Sequence, residues 1–300
     1  AEPAEAMMTL RRWLTAQYDR SGQSAKLYTS ERSLIKEILR LFALPVVLLL
    51  AYHLFTGFTN INLEVVELNK FAPATIVWAL VVAHFGVLGY RVVSNTMEMI
   101  RLTLMGDQED KKIPLGILFS ESKTFVRHFF TQKRWRQCDQ SDKSWANHMI
   151  LMSGYLIMLI LIVGFLWWFQ TDQIYSVLHP QRWLGYYATI ALMYGSGRML
   201  IGRIRKQEEM HRHSHSTDWL FPVFIFSGAL TGILVHIFRY AELPLATYMI
   251  YTLHVMVMVA MLDTEVGIGK WAHLIYRPLA VYLEALKTRL SVREELPSPV

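Results

Sequence analysis

The sequence predicts an all-α integral membrane bundle of six transmembrane helices with cytoplasmic amphipathic helices, and three observations predict it. First, 53% of the 300 residues are hydrophobic and the mean hydropathy is +0.26, too apolar for a soluble domain of this length. Second, charge-poor runs occupy residues 41–58, 71–90, 149–169, 183–201, 219–238 and 243–262. About twenty apolar residues in a helix cross the hydrocarbon layer. Third, the segments 1–35, 94–147, 202–218 and 264–300 carry 5, 9, 4 and 5 Lys and Arg residues, while the loops between them are poor in such charge. Basic loops stay in the cytoplasm, so both termini and the long 94–147 loop are expected there. The net charge of +6 then follows from loop bias and anionic lipid, with no nucleic-acid partner needed.

In order along the chain, residues 1–35 form a cytoplasmic helix and loop. Met7, Leu10, Trp13, Leu14 and Tyr18 recur at helical spacing, with Arg11 and Arg12 on another side, as in an interfacial or subunit-packing helix. Ser21-Gly-Gln-Ser24 reads as a loop and Ser30 as a helix start. Residues 36–285 hold the six spans, and 286–300 read as a flexible tail. Pro73 suits the start of the second span. Arg198 interrupts the fourth, leaving only 183–197 uncharged. The 94–147 loop contains nine basic and seven acidic residues, with mixed basic and aromatic stretches at 123–130 and 133–136 suited to a headgroup-facing helix or to docking soluble subunits. Cys138, the single cysteine, can form neither an internal disulfide nor an iron–sulfur site. The opening Ala1-Glu-Pro-Ala-Glu5 is too acidic for a secretory signal, and the expectation is a chain that was cut or processed, or one that follows a separate cluster-bearing subunit.

The chemistry lies in the histidines. His254 sits inside an uncharged run of twenty residues, 243–262, and His273 follows nineteen positions later. On an unbroken helix the two imidazoles would stand roughly 28 Å apart, one toward each membrane surface. An imidazole in the bilayer is costly without a partner. Two on one segment, facing others at matching depth, point to axial ligands of two stacked b-type haems. His148 begins the third span at the level of His273. His84, roughly 20 Å from the outer side, matches His254 at roughly 16 Å better than does His236 at roughly 4–6 Å. His53 lies near the outer interface, and His211, His213 and His215 alternate in what reads as an exposed loop.

The segment from 243 to 283 resembles the last transmembrane helix of the respiratory nitrate reductase gamma-subunit family of dihaem cytochromes b: His254 is followed by His273, Pro278 and Tyr282-Leu283. It is more similar still to the membrane subunits of quinone-interacting oxidoreductases related to heterodisulfide reductase, through Leu230-Thr-Gly232 and Tyr276-Arg-Pro-Leu279. The likeness covers residues 145–285 well and 1–144 in outline. It implies one ligand of each haem on the last span. It also implies two histidines ten residues apart on the third span, of which His148 matches the first and Met158 stands at the second, a departure. Met158, His236 and His53 are therefore alternates for the outer haem, and Arg277 is placed to pair with an inner-haem propionate, as Arg198 is in the fourth span unless it snorkels to the interface.

The expected function is that of a cytochrome b subunit in a bacterial or archaeal cytoplasmic membrane, carrying two b haems. It would relay electrons between cytoplasmic iron–sulfur or flavin subunits and the quinone pool. The competing expectation, from another class, is a haem-free scaffold or transporter with a polar, histidine-lined path.

Overall fold

The computed structural model describes residues 3–104, 122–123, 125–127, 129–131 and 142–295. The described residues are helical, with connecting turns and no strands. The chain begins with α1 (Pro3–Tyr18), α2 (Gln23–Thr29), α3 (Glu31–Phe55), the short α4 (Leu68–Phe71) and α5 (Ala74–Leu104). It continues through α6 (Asp142–Phe169), α7 (Pro180–Ile204), the single turn α8 (Glu209–Arg212), α9 (Ser216–Tyr240) and α10 (Pro244–Glu265), and ends in a 3-10 turn (Lys270–Ala272) and α11 (His273–Glu295). Cys138, the 133–136 stretch and residues 296–300 lie outside the described residues.

Local chemistry sets the boundaries. Ser30 starts α3, its hydroxyl accepting from Ser33 N at 3.2 Å, a donor that would otherwise be orphaned. Pro180 occupies the first turn of α7, where a missing N–H costs nothing, and the His179 ring accepts from Gln181 N. At α9 the His215 ring accepts from Thr217 N, while the Asp218 carboxylate accepts from His215 N at 3.0 Å. The alternating histidine tract is thus partly built into the fold.

Five helices are long and apolar enough to cross a membrane: Glu31–Phe55, Ala74–Thr103, Trp145–Phe169, Ser216–Tyr240 and Pro244–Glu265. The sequence predicts six. The missing one is α7, which has the same 25-residue length as α3 and α9 but carries Arg182, Arg198 and Arg203. Arg198 lies over the Tyr194 ring, 5.9 Å from its centre. Around the bundle, long apolar side chains such as Leu39, Val47, Val87 and Trp167 are exposed, as lipid contact requires.

The core forms where α9 packs on α10 and α7, α7 on α6, and α10 on α3. Leu41, Leu151, Leu192, Phe224, Val257 and Met261 are buried there, with Met158 packed against them. Small residues bring α6 and α7 together: a Cβ at Gly195 would lie 2.8 Å from Leu151 Cδ1, and one at Gly154 3.0 Å from Ala191 Cβ.

The last histidine segment is not one continuous helix. Gly267, at φ +83°, turns the chain out of α10 in the left-handed region, and a Cβ at Gly269 would collide with the Thr264 carbonyl and lie 2.6 Å from Glu265 Oε2. The 28 Å axial separation expected for an unbroken helix therefore does not apply, because His273 opens a new helix. That helix runs to Glu295, through the first part of the segment expected to be a tail.

Candidate functional site

The structure brings His148, in the second turn of α6, to His273, the first residue of α11. Their ring centres are 6.1 Å apart with the planes at 38°. The His273 Nδ1 bonds to the Lys270 carbonyl, which fixes the ring and leaves Nε2 as its other nitrogen. Burial pushes the His273 imidazole down to about 4, so it is neutral near pH 7, the form that coordinates a metal. Arg277 stands close enough for its charge to act on both rings. Trp271 packs on Tyr155 at 5.2 Å, and its Nε1–H is buried with no acceptor.

A second feature, not anticipated from sequence, holds this corner in place. Asp218 is 1% exposed and Glu265 is 1% exposed, in the first turn of α9 and at the last residue of α10. Lys270 bridges them: its backbone N–H donates to Glu265 Oε2 at 2.7 Å, and its Nζ donates to the Asp218 carbonyl at 2.7 Å and lies 3.3 Å from Asp218 Oδ1. Arg11 and Arg12 of α1 reach the same carboxylate at 2.7 and 3.1 Å. Burial pulls the Lys270 ammonium below its usual range, opposed first by Asp218. Tyr28 adds a hydrogen bond to the Ile268 carbonyl at 2.5 Å. The residue that carries His273's hydrogen-bond acceptor is thus tied to α1, α9 and α10. The available signal was two acids, Asp218 and Glu265, at the ends of apolar runs, with a lysine three residues before His273.

Comparison with protein-family models, with curated proteins and with solved structures finds no match.

The remaining candidates lie in separate surroundings. His254 Nδ1 is 3.0 Å from Thr231 Oγ1, and a Cβ on Gly232 would lie 3.3 Å from its Cε1, so the ring lies against α9. The His84 Nε2 is 3.1 Å from Asp263 Oδ2, at ion-pair distance without hydrogen-bond alignment. Asp263 is nine residues, about 13 Å of helix, beyond His254, so the contact His84 makes is at another level from the one depth matching suggested. His236 Nε2 is 2.8 Å from the Tyr186 hydroxyl, and its ring packs on Tyr240 at 4.4 Å. His53 is 4% exposed and packs on Phe71 at 4.9 Å, with neither ring nitrogen hydrogen-bonded.

Among the described residues no group of three or more His, Cys, Asp or Glu side chains could hold a bare metal ion. A haem needs only two axial donors, because the macrocycle supplies the others. Two metal–imidazole bonds of about 2.0 Å place opposing nitrogens about 4 Å apart and in-line ring centres about 6 Å apart. The His148–His273 ring-centre spacing of 6.1 Å fits that requirement.

Proposed function

We propose that this chain is the membrane cytochrome b subunit of a respiratory oxidoreductase, relaying electrons between cytoplasmic iron–sulfur or flavin subunits and membrane quinone. The observation that carries the reading is the half-buried His148–His273 pair, 6.1 Å between ring centres, assembled from residues 125 apart in sequence. In this reading His148 and His273 would hold the haem, Lys270 orients His273 through its carbonyl, and Arg277, whose charge acts on both rings, would pair with a propionate. A b-type haem bound there supplies a one-electron couple. His254, which meets the Thr231 hydroxyl at 3.0 Å, would hold an outer haem if one is bound. The lone Cys138 cannot by itself hold an iron–sulfur cluster, so residues 1–300 supply no such centre.

α7 acts as the sixth span, supported by its length and its packing between α6 and α9. The basic loops support cytoplasmic termini in a bacterial or archaeal inner membrane. One observation favours the haem-free transporter: an acid–base group, His84, Asp263 and Arg91, sits along candidate spans. Haem content of the purified chain separates the two readings, since the transporter binds none.

A further inference from the structure

The end of the bundle opposite Lys270 holds two arginines that the electron-transfer reading leaves unused. α7 and α9 run antiparallel. Arg203, near the end of α7, donates to Ser214 Oγ at 2.6 Å just before α9 begins, and Tyr186, near the start of α7, meets His236 Nε2 near the end of α9 at 2.8 Å. From that second contact Arg182 lies four residues back along α7 and Arg239 three residues on along α9. Each side chain therefore returns to the same face about one turn, roughly 5–6 Å, further out. The two guanidiniums stand at one level. Arg182 is close enough for its charge to act on Arg239, and both act on the His236 ring.

Both arginines are more than nine-tenths buried, at 8% and 4% exposure for Arg182 and Arg239. Asp172, the carboxylate whose charge reaches Arg239, is exposed and accepts instead from the Asn69 N–H at 2.8 Å. Arg239 Nη2 donates to the Thr171 and Gln173 carbonyls, which leaves its charge unbalanced. Its Nε is buried without an acceptor, and so are both Nε and Nη2 of Arg182. Those two atoms share one edge of the guanidinium, the two-donor fork that matches two oxygens of an oxyanion. The Nη1 of each arginine is neither bonded nor fully buried among the described residues, so the pair opens at an edge. Two like charges withdrawn side by side are costly unless an anion lies against them.

Depth says which oxyanion is at hand. Arg239 is in the last turn of a candidate span that ends at Tyr240, at the border of the hydrocarbon layer. Trp183, next to Arg182 in sequence, is exposed and its indole N–H donates to the Leu178 carbonyl at 3.0 Å, the behaviour of a side chain at the headgroup level. Basic pockets between spans at that level take lipid headgroups.

We propose that Arg182 and Arg239 form a binding site for a phosphate oxyanion, supplied by the headgroup of an anionic phospholipid or by inorganic phosphate from the aqueous side. The site does not depend on the electron-transfer reading. The Arg182 fork takes two phosphate oxygens, and Arg239, anchored to the loop after α6 through Nη2, adds Nε and the second positive charge.

The test uses the full chain, purified in detergent and freed of lipid, as wild type, Arg182→Gln, Arg239→Gln and Arg212→Gln, an exposed arginine at the other end of α7. Affinity is measured for phosphatidylglycerol by native mass spectrometry and for inorganic phosphate by calorimetry, with haem content read alongside. Loss of a charge-assisted contact of this kind corresponds to a change of roughly tenfold or more. The expectation is phosphatidylglycerol binding at least tenfold weaker in both site variants, with Arg212→Gln like the wild type. The same loss seen only with inorganic phosphate supports the site and assigns the free anion as its source. Arg182 makes no internal side-chain hydrogen bond among the described residues, so Arg182→Gln removes none and decides the matter if Arg239→Gln, which gives up the Thr171 and Gln173 contacts, does not fold. Wild-type affinity for both probes in Arg182→Gln, or binding of neither probe by the wild type, overturns the proposal. So does loss of haem from Arg182→Gln, which would assign this arginine to a propionate.

Discussion

Replacing Asp218 by Ala should loosen the corner that holds His273. The carboxylate is 2% exposed and meets Lys270, itself 12% exposed, at 3.3 Å, with Arg12 at 17% exposure and Arg11 at 47%. Arg11 is half in solvent and contributes little. The main cost is Lys270, left buried with its chief counter-charge gone, and breaking such a pair typically costs about 3–5 kcal/mol. Two effects bear on that figure. The lost capping contact to His215 N adds about 1 kcal/mol, whereas Lys270, already pulled down by burial, can lower its share by shedding its proton. A net loss of about 3 kcal/mol lowers the melting midpoint by about 5–10 °C. The variant should also depend on pH in a defined sense. Lys270 binds its proton more weakly in the folded chain than in the unfolded one, so the unfolded state holds more protons as pH rises from the folded toward the unfolded value, and stability rises across that interval. Without Asp218 the folded affinity falls further, so the window starts lower and the variant recovers toward wild type between pH 6.5 and 9. The assay is thermal unfolding in detergent at both pH values, with Lys270→Met and the double variant completing a cycle. An Asp218→Ala midpoint within 1–2 °C of wild type, or a deficit that grows with pH, would refute the reasoning.

Three further outcomes are expected. Gly195→Leu drives a side chain into Leu151 and separates α6 from α7, costing about 1–3 kcal/mol or more; a wild-type midpoint contradicts the close approach. Gly267→Ala puts a Cβ on a residue at φ +83° and costs about 1 kcal/mol in the same melt, and an unchanged or raised midpoint argues against the left-handed turn. His254→Ala lowers haem per chain by one and leaves the His148–His273 haem spectrum, while an unchanged haem count removes His254 from the ligand set.

The helices were legible because their signals are local. Ser30 and Pro73 mark starts, and uncharged runs mark the spans. The His148–His273 pairing was also within reach, because His148 opens one apolar run and His273 follows another, both beside basic segments. Tertiary choices were not legible. A residue such as His84 has several acids within reach of its helix, and only packing decides that Asp263, and not a partner near His254, comes beside it. The Asp218–Glu265–Lys270 cluster was hidden because each member reads alone as an ordinary loop charge. Its meaning comes from burial, which the sequence does not show. The break after Glu265 could be read from Gly267 and Gly269, but the change in direction that brings His273 to His148 could not.

The most direct test of the central claim is haem quantification with a reduced-minus-oxidised visible spectrum on the purified chain, alongside His148→Ala and His273→Ala. The account predicts b-type haem in the wild type, and loss from each variant of the same haem, with the remaining absorbance equal in the two. No haem in a wild type expressed with ample supply, or a wild-type spectrum in either variant, would contradict it.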